Sequence, residues 1–281
     1  MIQRLPTAAT AMNEGMQILW DDGERILHRG RRASGGREVD VLIASLAAEQ
    51  PSGASVERLA HEFSLRDQLE GDWAACPLEL LQDDGRVQLV LEDPGGVPLA
   101  RLLTAPLDVA TFLPLAISVA VALGKLHRRG LIHKDIKPAH LLVNCPDGHA
   151  RLTGFGLASR LPRERHAAEP PETLSGTLAY MAPEQTGRMN RSVDSRSDLY
   201  AFGVTLYQML TGSLPFSAAD PMEWLHCHIA RTPMPPSARV ATVPEMLSRI
   251  VMKLGSVKSV LGVPQREWFS TLLAVARNST R

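Results

Sequence analysis

Short apolar blocks separated by turn residues fill the first third of the chain, and helical spacing dominates beyond it. Met16–Leu19 is apolar, and Asp21-Asp22-Gly23 marks a turn. Glu24–His28 can then return as a paired strand, the hairpin that an Asp-Gly step favours. A Ser34-Gly35-Gly36 turn leads into Val39–Ala44, read as a third strand. In Ser55–Leu69 the apolar or small positions Val56, Leu59, Ala60, Phe63 and Leu69 follow helical spacing. Val87–Leu91 reads as a further strand.

Asp93-Pro94-Gly95-Gly96 interrupts this pattern and predicts a hinge, since proline removes a donor and glycine frees the backbone. Past it, Val109–His127 reads as a long helix stopped at Gly130. Leu141–Asn144 and Ala150–Thr153 flank Pro146-Asp147-Gly148 as a second hairpin, and Leu199–Leu210 is apolar nearly all round, as a central buried helix would be. The pattern predicts an α+β architecture: a small β-rich lobe, a hinge and a larger, mainly helical lobe.

Composition narrows the classes. The 281 residues carry 30 Lys and Arg against 30 Asp and Glu, a formal charge of zero, which argues against nucleic-acid binding as the main task. Cys76, Cys145 and Cys227 are too widely spaced for a Cys-x-x-Cys clip and read as reduced, buried thiols. The longest apolar run, Phe112–Leu123, is shorter than the ~20 residues a membrane span needs and reads as a buried helix. A cytoplasmic location is the expectation.

The chemistry gathers at His133-Lys134-Asp135-Ile136-Lys137-Pro138-Ala139-His140. This stretch resembles the catalytic loop of protein kinases, His-Arg-Asp-Leu-Lys-Pro-x-Asn, whose aspartate accepts the substrate hydroxyl proton and whose asparagine holds magnesium. Gly154-Phe155-Gly156 stands where the family has Asp-Phe-Gly, and Ala182-Pro183-Glu184 closes the segment as the family's does. Gly176-Thr177 and Asp198 match further family positions. The run Ser175–Arg191 is similar to one bacterial kinase-like subfamily, in which such a domain precedes an ATPase module and a sensor histidine kinase. The resemblance covers Glu14–Leu254. It implies a bilobal protein-kinase-like fold with an N-lobe at 14–93, a C-lobe at 94–254 and a divergent tail at 255–281. It also implies ATP and magnesium as cofactors and a protein partner or substrate.

Measured against that resemblance, several positions are changed. Ala44 stands where the ATP-anchoring lysine belongs, which leaves its partner position, Glu62, without a cation. Of the glycine-rich loop only Gly23 remains, with Glu24 and Arg25 where backbone amides should approach phosphate. Both magnesium-ligand positions are replaced, by His140 and by Gly154. One preorganised electrostatic contact is worth ~10²–10³ in rate, and four are missing together. Asp135 and Lys137 remain as the proton acceptor and the lysine facing the transferred group. Asp135 with His133 equally reads as loop architecture, tied by Asp198 to the central helix. A regulatory pseudokinase and an active Ser/Thr kinase both stay open, as does a truncated remnant of a hybrid sensor kinase.

Other features read plainly. His226-Cys227-His228 are neighbours whose side chains diverge on a helix, so no metal site is expected there. Arg29-Gly30-Arg31-Arg32 reads as a solvated turn, and Met209, Leu210 and Leu214 as core. Thr173, Ser175 and Thr177 are hydroxyls available to phosphorylation. Arg266 is the nearest counterpart of the arginine that pairs with the glutamate at 184, and Trp268–Val275 shows helical spacing.

Overall fold

The computed structural model describes residues 16–83, 86–160, 177–186 and 192–255. Thr173, Ser175, Arg266 and the helical spacing at Trp268–Val275 lie outside these residues.

The sheet begins where the turn signals place it. Strands β1 (Gln17–Asp21) and β2 (Arg25–Ser34) flank Gly23, whose φ of +83° is a left-handed conformation that glycine adopts without strain. β3 (Arg37–Leu46) follows, then helix α1 (Gly53–Ser64), β4 (Pro77–Asp83) and β5 (Arg86–Glu92), in a five-stranded sheet of order β1-β2-β3-β5-β4. Every pairing in it is antiparallel. Val41 to Ala44 are all buried because both faces of the sheet are covered there. Leu42 and Ala44 join Leu27, Leu59, Leu89 and Leu91 on one face, while Val41 and Ile43 pack with Val90 on the other.

Four expectations are corrected here. Of the three thiols expected to be buried only Cys227 is; Cys76 is half-buried and Cys145, in the turn before Pro146, is exposed. The basic run Arg29–Arg32 is no turn but the middle of β2, paired with Val39–Leu42 of β3. Its Gly30 packs closely against Ile43, whose Cδ1 would lie 3.2 Å from an added Cβ. The helix expected over Ser55–Leu69 ends at Ser64, capped at its start by Ser52, which accepts from the Ser55 amide at 3.1 Å. Leu65 and Leu69 leave the helix to join the core of the second lobe. The edge strand β4 had no counterpart in the alternation pattern.

Beyond β5 the chain bends at Asp93–Gly96 and enters β6 (Val97–Pro98). This hinge is fastened from both sides. Arg29 forks onto the Asp93 carboxylate and donates to the Gly96 carbonyl at 2.7 Å. A Cβ on Gly96 would meet the Val143 carbonyl oxygen at 2.3 Å, so only glycine fits this crossing.

The second lobe is mainly helical: α2 (Val109–Arg128), α3 (Ser195–Thr211), α4 (Pro221–Ala230), α5 (Pro236–Arg239) and α6 (Glu245–Leu254). Between α2 and α3 lie β7 (Leu131–Ile132), the antiparallel hairpin β8 (Leu141–Asn144) and β9 (His149–Leu152), and β10 (Ser159–Arg160). Asp108 caps α2 by accepting from the Thr111 amide. α2 is long and apolar enough to cross a membrane by composition, yet Phe112, Leu115, Val119, Leu123 and Leu126 are buried in the core of this lobe. α3 is buried almost all round, from Ser197 to Thr211, with Gln208 the exception. Met209 and Leu210 are wholly buried and Leu214 packs beside Tyr200 and Val204. The cores interlock, because Leu142 of β8 belongs to the apolar cluster of the sheet.

Candidate functional site

Between the sheet and the helical lobe lies a cavity of about 490 Å³, whose walls include Arg25, Arg58, Asp135, Lys137, His140 and Gly154. Its floor is the loop His133–His140, held by a buried carboxylate. Asp198 on α3 accepts from the amides of His133 (2.9 Å) and Lys134 (2.8 Å) and bonds His127 Nε2 at 2.8 Å. Lys134 sits at φ +68°, a strained angle for a side-chain-bearing residue, fixed by Asp198 on one side and by Gln185 Nε2 donating to its carbonyl at 2.7 Å on the other. His133 is wholly buried and burial lowers its pKa. Its Nε2–H donates to the Thr153 carbonyl and its Nδ1 accepts from the Asp135 amide.

Asp135 points into the cavity with its side chain 12% exposed. Burial raises its pKa, but the neighbouring His140 and Lys137, His133 and the Thr177 amide outweigh that and hold it below the ordinary carboxylate value. Lys137 Nζ lies 3.4 Å from Asp135 Oδ2 and donates to Thr177 Oγ1 at 2.8 Å. An ionised carboxylate beside a cation and a hydroxyl can accept a proton. This corner therefore has the donor and acceptor set of a general base.

The neighbouring positions have different chemistry. Gly154 adopts φ +79°, and a Cβ on it would lie 2.6 Å from His140 Cδ2. The imidazole thus fills the space that an acidic side chain at 154 would enter. His140 is 9% exposed, and burial pushes its pKa down to about 3, so the ring is neutral. Its Nδ1–H donates to the Asp135 carbonyl at 2.8 Å. Magnesium takes oxygen ligands in near-octahedral geometry. A neutral imidazole and a bare glycine supply no carboxylate or amide oxygen at these two positions, and the residues present do not fit that ion.

Glu62 corrects a further expectation, because it is not left without a cation. Arg25 on β2 donates to Glu62 Oε2 at 2.7 Å and to Oε1 at 3.3 Å, and the Gly154 amide also donates to Oε1. Glu62 is wholly buried; burial raises its pKa, but Arg25 overrides this and leaves it below the ordinary value. The strand register explains the replacement. Leu27 pairs directly with Ala44, so Arg25, two residues from Leu27, sits on the same face and diagonal to Ala44. The cation that pairs with Glu62 thus comes from β2, the strand next to Ala44.

Of the positions singled out in the sequence, the fold gathers Glu62, Asp135, Lys137, His140 and Gly154 around the cleft. Ala44 lies wholly buried in the sheet's core, and Gly23 is exposed at the tip of the β1–β2 turn. Sequence reasoning missed Arg25 as a partner of Glu62, and also missed Asp22, whose Oδ2 lies 3.5 Å from Lys137 Nζ. Gln185, which joins the end of the segment to the loop, was missed too. Glu184 accepts from the Ser197 hydroxyl at 2.7 Å. His228 reaches Tyr200 through Nδ1 and the Leu178 carbonyl through Nε2, so it braces the segment from α4.

A five-stranded antiparallel sheet with one docked helix, a helical second lobe and this loop at their junction define a bilobal, protein-kinase-like α+β fold. The protein kinase domain model matches residues 41–255, and the chain belongs to the protein kinase family. It is 36% identical over 246 residues to the DNA damage-responsive serine/threonine-protein kinase RqkA of Deinococcus radiodurans, covering 86% of this chain and 36% of that protein. It is 30% identical over 250 residues to the serine/threonine-protein kinase pkn2 of Myxococcus xanthus, covering 88% of this chain and 29% of the relative. Serine/threonine-protein kinase Pkn1 of Myxococcus xanthus is 35% identical over 175 residues, covering 60% of this chain and 24% of the relative. The chain thus spans between a quarter and about a third of the length of these relatives.

Proposed function

We propose that this chain is a regulatory pseudokinase: a Ser/Thr-kinase-shaped module of bacterial signal transduction that binds a protein partner and performs no magnesium-dependent phosphoryl transfer. One observation carries the reading. The His140 ring occupies the space beside Gly154, so the two positions that hold magnesium by resemblance lack their oxygen donors and exclude one another's replacement. The lobes divide at residues 93 and 94, and the chain works within a longer signalling polypeptide, a reading supported by the similarity of the run Ser175–Arg191 to the hybrid sensor kinases. The site acts in the cytoplasm.

The remaining corner favours a second reading, an active Ser/Thr kinase with Asp135 as base, because Asp135, Lys137 and Thr177 keep a proton-accepting geometry. Transfer of radiolabelled γ-phosphate to a generic protein substrate separates the two. The expected result is incorporation with magnesium and ATP that is indistinguishable between the wild type and Asp135→Asn. Incorporation that requires both magnesium and Asp135 would establish the second reading in place of the first.

A further inference from the structure

The cleft holds three cations, Arg25, Arg58 and Lys137, on its walls. Each already faces a carboxylate of the chain. Arg25 is engaged by buried Glu62, Arg58 NH1 by Glu24 Oε1 at 2.8 Å, and Lys137 by Asp22 Oδ2 at 3.5 Å as well as by Asp135. Two of these carboxylates, Asp22 and Glu24, belong to the β1–β2 turn, the segment that lies over the cleft.

The shape of that turn delivers them. Asp21 Oδ1 accepts from the Gly23 amide at 2.8 Å, and Asp22 Oδ1 accepts from the amides of Glu24 and Arg25. Asp22 thus spends one oxygen on the turn and turns the other across the cleft to Lys137. Glu24 reaches the opposite wall, where the Ser55 hydroxyl also donates to Oε1 at 2.9 Å. The turn is therefore pinned to α1 and to the catalytic loop by its own negative charges.

We propose that the acidic β1–β2 turn is an internal occupant of the cleft's cation sites, competing there with the diphosphate group of a magnesium-free ligand. Four carboxylates, Asp22, Glu24 and Asp135 on the cavity wall and Glu62 behind Arg25, more than offset the three cations. An incoming diphosphate meets no net positive charge until the turn withdraws. Neutralising Asp22 and Glu24 leaves the three cations facing only Glu62 and Asp135, an excess of one. The inference rests on the magnesium-free reading of the cleft given above.

The test is a calorimetric titration of the full chain with ADP, and in a parallel arm with inorganic pyrophosphate, both in EDTA. Asp22→Asn/Glu24→Gln is compared with the wild type. The expected result is binding at least about tenfold tighter in the variant, since two partly exposed ion pairs no longer compete. A gain with both probes assigns recognition to the diphosphate alone, and a gain with ADP only adds the nucleoside; either supports the proposal. Equal affinity in the two proteins, or binding by neither, overturns it. Should the double variant fail to fold, Glu24→Gln alone, at an exposed position, decides in the same titration: tighter binding supports the proposal and unchanged binding overturns it. Magnesium-dependent turnover would defeat the pseudokinase reading without altering the outcome in EDTA.

Discussion

The floor and the roof of the cleft differ in what their polar groups are for. On the floor, Asp198, His133, Gln185 and Lys134 exchange hydrogen bonds with one another, with His127 and with backbone groups of the chain. No bound molecule is needed to satisfy them. At the roof and beside Gly154, the charged groups close on each other in pairs across separate elements, Arg25 with Glu62 and Asp22 with Lys137. The loop's architecture and its chemistry are therefore separable. The first is held by contacts that stay the same when the second is altered.

The comparison is broken most severely at Asp198. Asp198→Ala removes the acceptor of two buried amides and His127, and is expected to cost about 3–5 kcal/mol in urea unfolding, the range for breaking a buried charged network. A loss below about 1 kcal/mol would show that the floor does not depend on it.

At the roof, Arg25→Met strands a buried carboxylate and is expected to cost about 3 kcal/mol at neutral pH. The sign with pH follows from Glu62, whose pKa lies below the ordinary value while Arg25 is present. The pair's contribution is complete above the ordinary carboxylate range and is lost as pH falls through the lowered value. The gap between wild type and variant should therefore narrow on acidification, and a gap that stays constant down to pH 4 would contradict the pairing.

Gly154→Asp sharpens the difference further. It places a Cβ against the His140 ring at a left-handed backbone position and is expected to cost about 2–3 kcal/mol. Adding His140→Asn should return at least about 1 kcal/mol of that loss, a coupling visible in a double-mutant cycle. Strict additivity would mean that the two positions do not share space.

Acid itself is the next test. His140 and His228 are buried with pKa values pushed down to about 3 and about 4. Between those values and the ordinary imidazole pKa the unfolded chain binds more protons, so stability falls as pH drops. Each ring should contribute about 2 kcal/mol of loss between pH 7 and pH 5. His228→Gln should flatten the measured slope by about that amount. The smallest effect is expected at the solvent-exposed pair Arg31–Asp40, where Asp40→Asn should change stability by no more than about 0.5 kcal/mol.

The floor was legible in the sequence because its residues are local and ordered: His133 to His140 lie in one stretch, and Asp198 stands at a family spacing from it. The hinge and the two hairpins were legible through Asp-Gly, Pro-Gly and Gly-Gly steps. The roof was not. Arg25 read as an obstruction because its partner, Glu62, is 37 positions away and the link runs through strand register, which no local pattern carries. The basic run failed for a related reason. Arg29 and Arg32 pair with Asp93 and Glu79 on distant segments, so charges that look solvated in sequence are matched across the sheet. β4 escaped because Pro77–Asp83 buries little beyond Pro77 and so lacks alternation.

The fastened hinge carries a consequence for motion. Swinging the two halves apart means tearing Arg29 from Asp93 and from the Gly96 carbonyl and prising Gly96 off Val143. Lifting the four-residue tip from Asp21 to Glu24 means separating Asp22 from Lys137 and Glu24 from Arg58, Ser55 and the Ala47 amide. Opening the hinge therefore breaks an ion pair and a close backbone contact, and raising the turn breaks ion pairs on two walls of the cleft.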